Sequence, residues 1–511
     1  MDTDVIIVGA GPTGLMLAGE LRLAGVRPLV LERQPQLWDV PKASGIGGRI
    51  LDLLRYRGLL ERFEAASADP YPPLRLPFGG MHLDFTRMGE APMKVLPMAQ
   101  MEIERLLAER ADELGAEVRR GHQVNGVRQD EDSVTAEVSG PEGAYTVTAR
   151  YLVACDGGRS RIRDMAGIMF SGTTYPDVVR LSQVSVGDEV TVHENGDLEV
   201  PGFGRVAAGF TRTDNGQLAF ATTPDGVLHL STTEDESVEY DDDVPMDMDE
   251  LQASIRRVLG AEIPMKDAKR LSRFTFKDRQ AEQYRAGRIL VAGDAAHLFP
   301  ATGIALNAGM LDTVNLAWKL GAEIGGWAPE GLLDTYHDER HFAGSRARLH
   351  ARAQVALRRG LDAAAEALRA LFQELAADEQ PLRRVGDLIA ANDTRYPGAG
   401  DHALIGTFAP DLALDTERGA SSVAQLMHTA RPILLVLTDR PELREIAQGW
   451  HDRVEIHTAT TDQRPADALL IRPDGHIAWV AAIDEPAEAA ASTLREALAA
   501  WFGTPLMAAI G

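Results

Sequence analysis

Over the first 120 residues, short apolar runs that stop at glycine alternate with stretches in which apolar residues recur at helical spacing. Residues 5–8 (Val-Ile-Ile-Val) form one such run and stop at Gly9. Leu15, Ala18 and Leu21 to Leu23 then recur every three to four positions, Gly25 closes the stretch, and 28–31 is the next apolar run. This spacing predicts strand, glycine turn, helix, strand. A second helix is predicted over 50–62 and a third over 101–114, stopped by Gly115. Alternating segments at 122–129, 133–138 and 144–157 predict a β-meander.

Between 171 and 260 the alternation continues, predicting a mostly antiparallel sheet. The acidic run 234–250 ends it and reads as a solvated loop. Residues 285–297 return to an apolar run that belongs with the first unit. A long helical region follows over 306–375, interrupted near 325–331, with an inward stripe at Leu306, Met310, Ala317, Leu320 and Ile324. The last 110 or so residues look separate. Runs at 431–439, 453–459 and 467–482 precede an Ala-rich terminal helix, and Pro473-Asp474-Gly475 predicts the turn of a hairpin. This order resembles a thioredoxin-like fold. Its expected role is packing or a dimer contact.

Composition narrows the field. A chain of 511 residues exceeds one hydrophobic core. Its net charge of −24 argues against nucleic acid or an anionic membrane as partner. The single cysteine, Cys155, allows no internal disulfide and fits the cytoplasm. It also rules out dithiol chemistry in the C-terminal unit, and on its expected buried strand it should be inert. The N-terminus lacks the basic start of a signal peptide, and no apolar run approaches the ~20 residues of a membrane span. No spacing of metal ligands is found, so no metal is expected. The basic stretch 346–359 reads as a helix face paired with acidic neighbours.

The candidate chemistry begins at Gly9-x-Gly11-x-x-Gly14, which follows a strand and opens a helix, with Glu32 ending the next strand. In that context the three glycines serve a tight turn, backbone approach to a pyrophosphate and close helix–strand packing. The helix start holds the negative charge, and Glu32 accepts from a ribose hydroxyl. The fingerprint alone leaves NAD and FAD open.

Two further strand ends bear on that choice: Asp156-Gly157, followed by Arg159, Ser160 and Arg163, and Gly293-Asp294, followed by His297, Pro300 and Gly303. Together with the first motif they resemble the three signatures of the group A flavoprotein aromatic hydroxylases, the p-hydroxybenzoate hydroxylase-like family. The chain is most similar to its actinobacterial members that act on aromatic polyketides and antibiotics. Residues 18–25, 57–63, 334–341 and 471–480 also read like that group.

The resemblance implies FAD as cofactor and NAD(P)H as co-substrate. It places Gly9, Gly11 and Gly14 at the FAD pyrophosphate, Glu32 at the adenosine ribose and Arg33 at the adenine end, where Arg33 also reads as a solvated charge. Asp156 and Arg159 fall in the segment tied to FAD and NAD(P)H docking. Gln100 and Lys42 fall near the flavin phosphates. Gly293 and Asp294 fall at the ribityl chain, and Pro300 and Gly303 against the flavin ring. Leu306 and Asn307 offer backbone amides to flavin N1 and the C2 carbonyl, where the reduced ring carries negative charge. His297 is expected to pack or cap, and no catalytic base is marked.

The implied fold is α/β. A Rossmann-type FAD domain with connecting helices spans 1–170 and 270–400, a substrate-binding β-sheet domain 171–269, and a thioredoxin-like domain without redox cysteines 401–511. The implied function is an FAD-dependent monooxygenase acting on a small hydrophobic natural product, with a homodimer as the further expectation. Two departures from the family pattern stand out. Thr302-Gly303-Ile304-Ala305-Leu306-Asn307 is one residue shorter than the usual run and lacks two of its glycines and its glutamine, and Lys42 replaces an arginine. They keep open the alternative of a non-redox cyclase that binds FAD as a structural wall.

Overall fold

The structure, a computed structural model, describes residues 1–37, 43–222, 227–236, 240, 244–300, 303, 305–360, 362–397 and 400–506. Its first sheet has the strand order Arg285–Ala286, Ile289–Val291, Tyr151–Ala154, Val5–Val8, Pro28–Glu32, Glu117–Arg120. All neighbours are parallel except the edge strand Arg285–Ala286. Val5–Val8, Tyr151–Ala154 and Ile289–Val291 are buried at every position, as strands of a parallel sheet covered on both faces must be. The helices Pro12–Leu23 and Ala305–Ile324 help close that core.

Three expectations need correction here. The third run of the presumed meander is two strands. Gly143–Ala149 completes a small antiparallel sheet with Gln123–Gln129 and Val134–Gly140, while Tyr151–Ala154 leaves it to pair with Val5–Val8. The helix expected over 50–62 is broken into Arg49–Tyr56 and Leu60–Ala66, because Gly58 takes a left-handed φ of 66°. The long helical region 306–375 comprises, among the described residues, three helices, Ala305–Ile324, Thr335–Arg359 and Ala363–Ala377, so it breaks once more than expected, and a fourth, Glu379–Ala390, follows it.

The middle sheet is antiparallel, in the order Gly209–Thr213, Gly216–Thr222, Val227–Asp235, Phe170–Val186, Met265–Ala281, His297–Leu298. One face buries Leu218, Phe220, Leu228 and Leu230 in a core that includes the helix Met248–Leu259. On the other face the register sets Arg212, Gln217, Thr233, Val179 and Phe274 in one row. That face turns toward the hairpin Arg75–Asp84 and the helix Thr335–Arg359: Arg212 donates to Gly79 O and to Arg358 O, each at 3.2 Å. The acidic run is not simply solvated. Arg180, buried within the sheet, donates to Glu234 at 3.0 Å, Glu236 at 2.6 Å and Glu250 at 2.8 Å.

The C-terminal sheet runs Gly419–Ser422, Ala413–Thr416, Glu455–Thr460, Ile433–Val436, Ala468–Ile471, Ile477–Ala481, and the Pro441–Ala447 and Ala487–Phe502 helices share its core. Its last two strands form the expected hairpin, with Gly475 at φ 80°. The basic helix face pairs with acids as expected: Arg346 with Asp393, Arg348 and Arg352 with Asp278, and Arg359 with Asp177 and Asp235. No described helix is long and apolar enough to cross a membrane.

Candidate cofactor and substrate site

The three sequence motifs sit at the carboxyl ends of neighbouring parallel strands. From Val5–Val8 the chain crosses to Pro28–Glu32 on one side and returns to Tyr151–Ala154 on the other. The crevice at that reversal is where open α/β sheets take ligands. Gly9 has φ 106°, and a Cβ there would overlap the Cys155 carbonyl oxygen. At Gly14 a Cβ would overlap the Gly9 carbonyl oxygen. Gly11 differs: no atom of the described residues lies within 4 Å of where its Cβ would be, and it opens the Pro12–Leu23 helix without a side-chain cap. An uncapped helix start facing open space is an anion site in form.

Glu32 turns back to this start. Its carboxylate accepts from Ala10 N and Gln34 N, both at 2.8 Å. Arg33 is exposed. Lys42 lies outside the described residues. Gln100 opens its helix, accepts from Ala43 N at 3.2 Å and so holds the segment that follows Lys42.

At the second motif, Asp156 Oδ2 accepts from Ile162 N at 3.3 Å, while its buried Oδ1 has no partner among the described residues. Burial raises its pKa against the hydrogen bonds from Ser160 and the Ile162 amide. Arg159 is exposed. Cys155 lies just past the end of Tyr151–Ala154, half-buried, and desolvation pushes its thiol well above the usual range.

At the third motif Gly293 has φ 61°. A Cβ there, or on Gly309 of the next helix, would stand 2.7 Å from Thr13 Oγ1. Fingerprint helix, Gly-Asp turn and Ala305–Ile324 helix therefore meet without room for a methyl group. Asp294 is exposed, Pro300 is buried and Gly303 is exposed, with no atom of the other described residues within 4 Å of where its Cβ would be. Leu306 is half-buried and Asn307 buried. Both lie in the first turn of Ala305–Ile324, whose leading N–H groups have no intrahelical acceptor. Asn307 Oδ1 accepts from Gly47 N at 3.4 Å.

Several residues were not singled out from sequence. Asp312 is fully buried and accepts from Gly293 N at 3.0 Å, His297 Nε2 at 2.7 Å and Arg340 Nε at 2.7 Å. His297 is thus a packed, paired side chain, as expected. Burial pushes Asp312 up, but His297 and Arg340 outweigh it and hold the carboxyl below its usual range. Arg163 donates to Gly158 O at 3.2 Å and Ala295 O at 3.3 Å, tying the second motif to the third. A usable signal was present: Asp312, Asn315 and Lys319 recur at helical spacing in an otherwise apolar helix.

Comparison with known proteins gives the family. The profile of the FAD binding domain family matches residues 2–349, and that of the aromatic-ring hydroxylase C-terminal domain matches 402–505. The chain belongs to the FAD-dependent aromatic-ring hydroxylases. Among relatives of this hydroxylase, the 12-dehydrotetracycline 5-monooxygenase/anhydrotetracycline 6-monooxygenase of Streptomyces rimosus subsp. rimosus is 42% identical, across 99% of this chain and 100% of that protein. The solved structure of OxyS anhydrotetracycline hydroxylase from Streptomyces rimosus superposes with a TM-score of 0.87 at 40% identity, covering 99% and 100% of the two chains. PyrE3, a Diels-Alderase of pyrroindomycin biosynthesis, superposes at 0.81 with 35% identity over 99% and 100%. The hydroxylase is an FAD-dependent monooxygenase with NAD(P)H as co-substrate, and its Rossmann-type, antiparallel and thioredoxin-like parts are those of the family fold.

Proposed function

We propose that this monooxygenase hydroxylates a polycyclic aromatic polyketide held between the flavin and the face of the middle sheet that turns toward the Arg75–Asp84 hairpin. The observation that carries the proposal is the meeting of three strand-end motifs around an open, uncapped helix start. An apolar cluster links Phe299 and, on the central helix, Ala305 and Ala308 to Phe78, Met81 and Leu83 of the Arg75–Asp84 hairpin, where the His82 ring meets Phe210 of the sheet at 4.9 Å, tilted by 41°. A flat hydrophobic substrate fits that lining. It is expected to be a small molecule met in the cytoplasm. The domain limits that suit this division are 1–170 with 270–400, 171–269 and 401–511, and a homodimer is the proposed assembly.

Residue by residue, Gly9 and Gly14 shape the turn and Gly11 leaves room for the pyrophosphate. The Pro12–Leu23 helix start holds its charge. Glu32, already aimed at the turn, takes the adenosine ribose, with Arg33 at the adenine rim. Gln100 steadies the Ala43 segment against the flavin phosphates, the role in which the family pattern also casts Lys42, and Asp156 and Arg159 flank the dinucleotide. Gly293 and Asp294 reach the ribityl chain, Pro300 and Gly303 border the ring, and the Leu306 and Asn307 amides address its pyrimidine edge. The chemistry that FAD supplies when bound is oxidation of NAD(P)H and transfer of one atom of dioxygen. The chain's share is to orient ring and substrate, exclude water through the apolar cluster, and meet negative charge on the pyrimidine edge with aligned amides.

The test is anaerobic mixing of FAD-loaded protein with NADH or NADPH, with and without tetracyclic phenols. Bleaching of the long-wavelength flavin band, accelerated by a substrate that gains one oxygen on readmitting air, is expected. A flavin that stays oxidised with a converted substrate present would replace this reading by the non-redox cyclase, the alternative that the Diels-Alderase neighbour and the short Gly303 loop keep in view.

A further inference from the structure

The Arg472–Gly475 turn of the C-terminal hairpin is buried against the FAD domain rather than exposed at a rim. Asp474 Oδ2 accepts from Asn315 Nδ2 at 2.9 Å, and Arg472 Nη2 donates to Glu339 at 2.8 Å. Glu339 also accepts from Lys319 at 2.7 Å. From Asn315 the contacts continue inward. Its amide donates also to Glu339 at 2.6 Å and stands 3.5 Å from the Tyr396 hydroxyl, to which Arg340 donates at 3.0 Å; His476, whose backbone amide donates to Asp474 at 3.2 Å, stacks its ring on Tyr396 at 4.2 Å. Arg340 in turn binds Asp312 at 2.7 Å and the Ala308 carbonyl at 3.3 Å, and Asp312 holds Gly293 N. A second arm reaches the fingerprint helix: Arg57 donates to Pro473 O at 2.7 Å and pairs with Glu20 at 2.8 Å.

The chain of contacts thus ends at two places proposed above to face the flavin, the Gly293 turn and the first turn of the central helix. A cavity bordered by Gly47, Asn307, Ala308, Tyr396, Asp474 and His476 lies behind that first turn, and the hydrogen bonds from Arg340 to Tyr396 and to the Ala308 carbonyl run along its wall, adding to the packing of Ala305 and Ala308 on the apolar cluster. These contacts are charge-assisted and dry, the setting in which each member is held most firmly when every partner is present.

We propose that Asp474 and Arg472 are positioning residues for the flavin: the C-terminal domain, without cysteines for redox work, sets the central helix so that its leading amides meet the pyrimidine edge. The inference rests on the flavin placement given under the proposed function. Asp474 sits well away from the ring. Asn315 lies nine residues beyond Leu306, or about 13 Å along the helix axis. Its effect is therefore exerted through Asn315 and Tyr396.

The test compares three variants of the full-length protein by titrating apoprotein with FAD and by measuring the reduction potential of the FAD-saturated form. Asp474→Asn removes the acceptor charge and Tyr396→Phe removes the linking hydroxyl. Asp467→Asn breaks a buried pair with Arg440, at 2.9 Å, inside the same domain but off this path. The proposal expects Asp474→Asn to weaken FAD binding by about tenfold, the worth of one charge-assisted hydrogen bond. It expects Tyr396→Phe to act in the same direction, and Asp467→Asn to leave affinity within about twofold. It also expects the potential of Asp474→Asn and Tyr396→Phe to fall, because misaligned amides stabilise the reduced anion less. Loss of the Asp474 charge acting only through space would raise the potential, and that result overturns the proposal. So does equal FAD affinity in Asp474→Asn and Asp467→Asn. If Asp474→Asn does not fold, Tyr396→Phe decides. A wild-type protein that fails to bind FAD overturns the flavin placement along with the inference.

Discussion

Gly11 and Gly14 stand in one motif, yet a methyl group meets opposite surroundings at each. At Gly11 the backbone has φ −74° and ψ 180°, which alanine adopts freely, and no described residue comes within 4 Å of the new Cβ. At Gly14 the Cβ enters the Gly9 carbonyl. Gly11→Ala is therefore expected to leave apoprotein stability within about 0.5 kcal/mol while lowering FAD affinity at least about tenfold. Gly14→Ala is expected to cost about 1–3 kcal/mol or more before any cofactor is added. Urea unfolding of the apoproteins beside FAD titration separates the two. A Gly11→Ala protein that binds FAD as tightly as wild type would remove the pyrophosphate from this turn.

At the level of single elements, the central helix departs most from what its periodicity suggests. The stripe of Leu306, Met310, Ala317, Leu320 and Ile324 implies one buried face and one wet face, but Asp312, Asn315 and Lys319 are buried as well. They can be, because each has a counter-group from a distant segment: Arg340 and His297 for Asp312, Glu339 for Lys319, Asp474 for Asn315. Lys319 registers the cost. Burial pushes its pKa down to about 8 against the pull of Glu339. Breaking such a cluster by removing one member leaves the others charged and dry. Asp312→Ala, which strands Arg340, His297 and Gly293 N together, is expected to cost about 3–5 kcal/mol in urea unfolding. A loss below about 1 kcal/mol would show that this cluster does not hold the helix.

For the whole molecule, what could be read from the chain was what short-range pattern encodes. The glycine spacing, the Asp-Gly and Gly-Asp strand ends and the Pro473–Gly475 turn are each written within a few residues, and the family resemblance those motifs carry implied the fold and the FAD chemistry. Pairings between distant segments were not legible. Nothing local says that Tyr151–Ala154 leaves the meander for Val5–Val8, or that Asn315 meets a carboxylate 159 residues away. Glu234, Glu236 and Glu250 looked like surface charge because their partner, Arg180, sits on a different strand. The central claim is that the cofactor spans from the Gly11 helix start to the amides of Leu306 and Asn307. A crystal structure of the FAD complex tests it directly. The account predicts the pyrophosphate over Gly11 and the pyrimidine edge of the ring within hydrogen-bond distance of the first turn of Ala305–Ile324. A ring bound with that edge turned away from the helix start would contradict it.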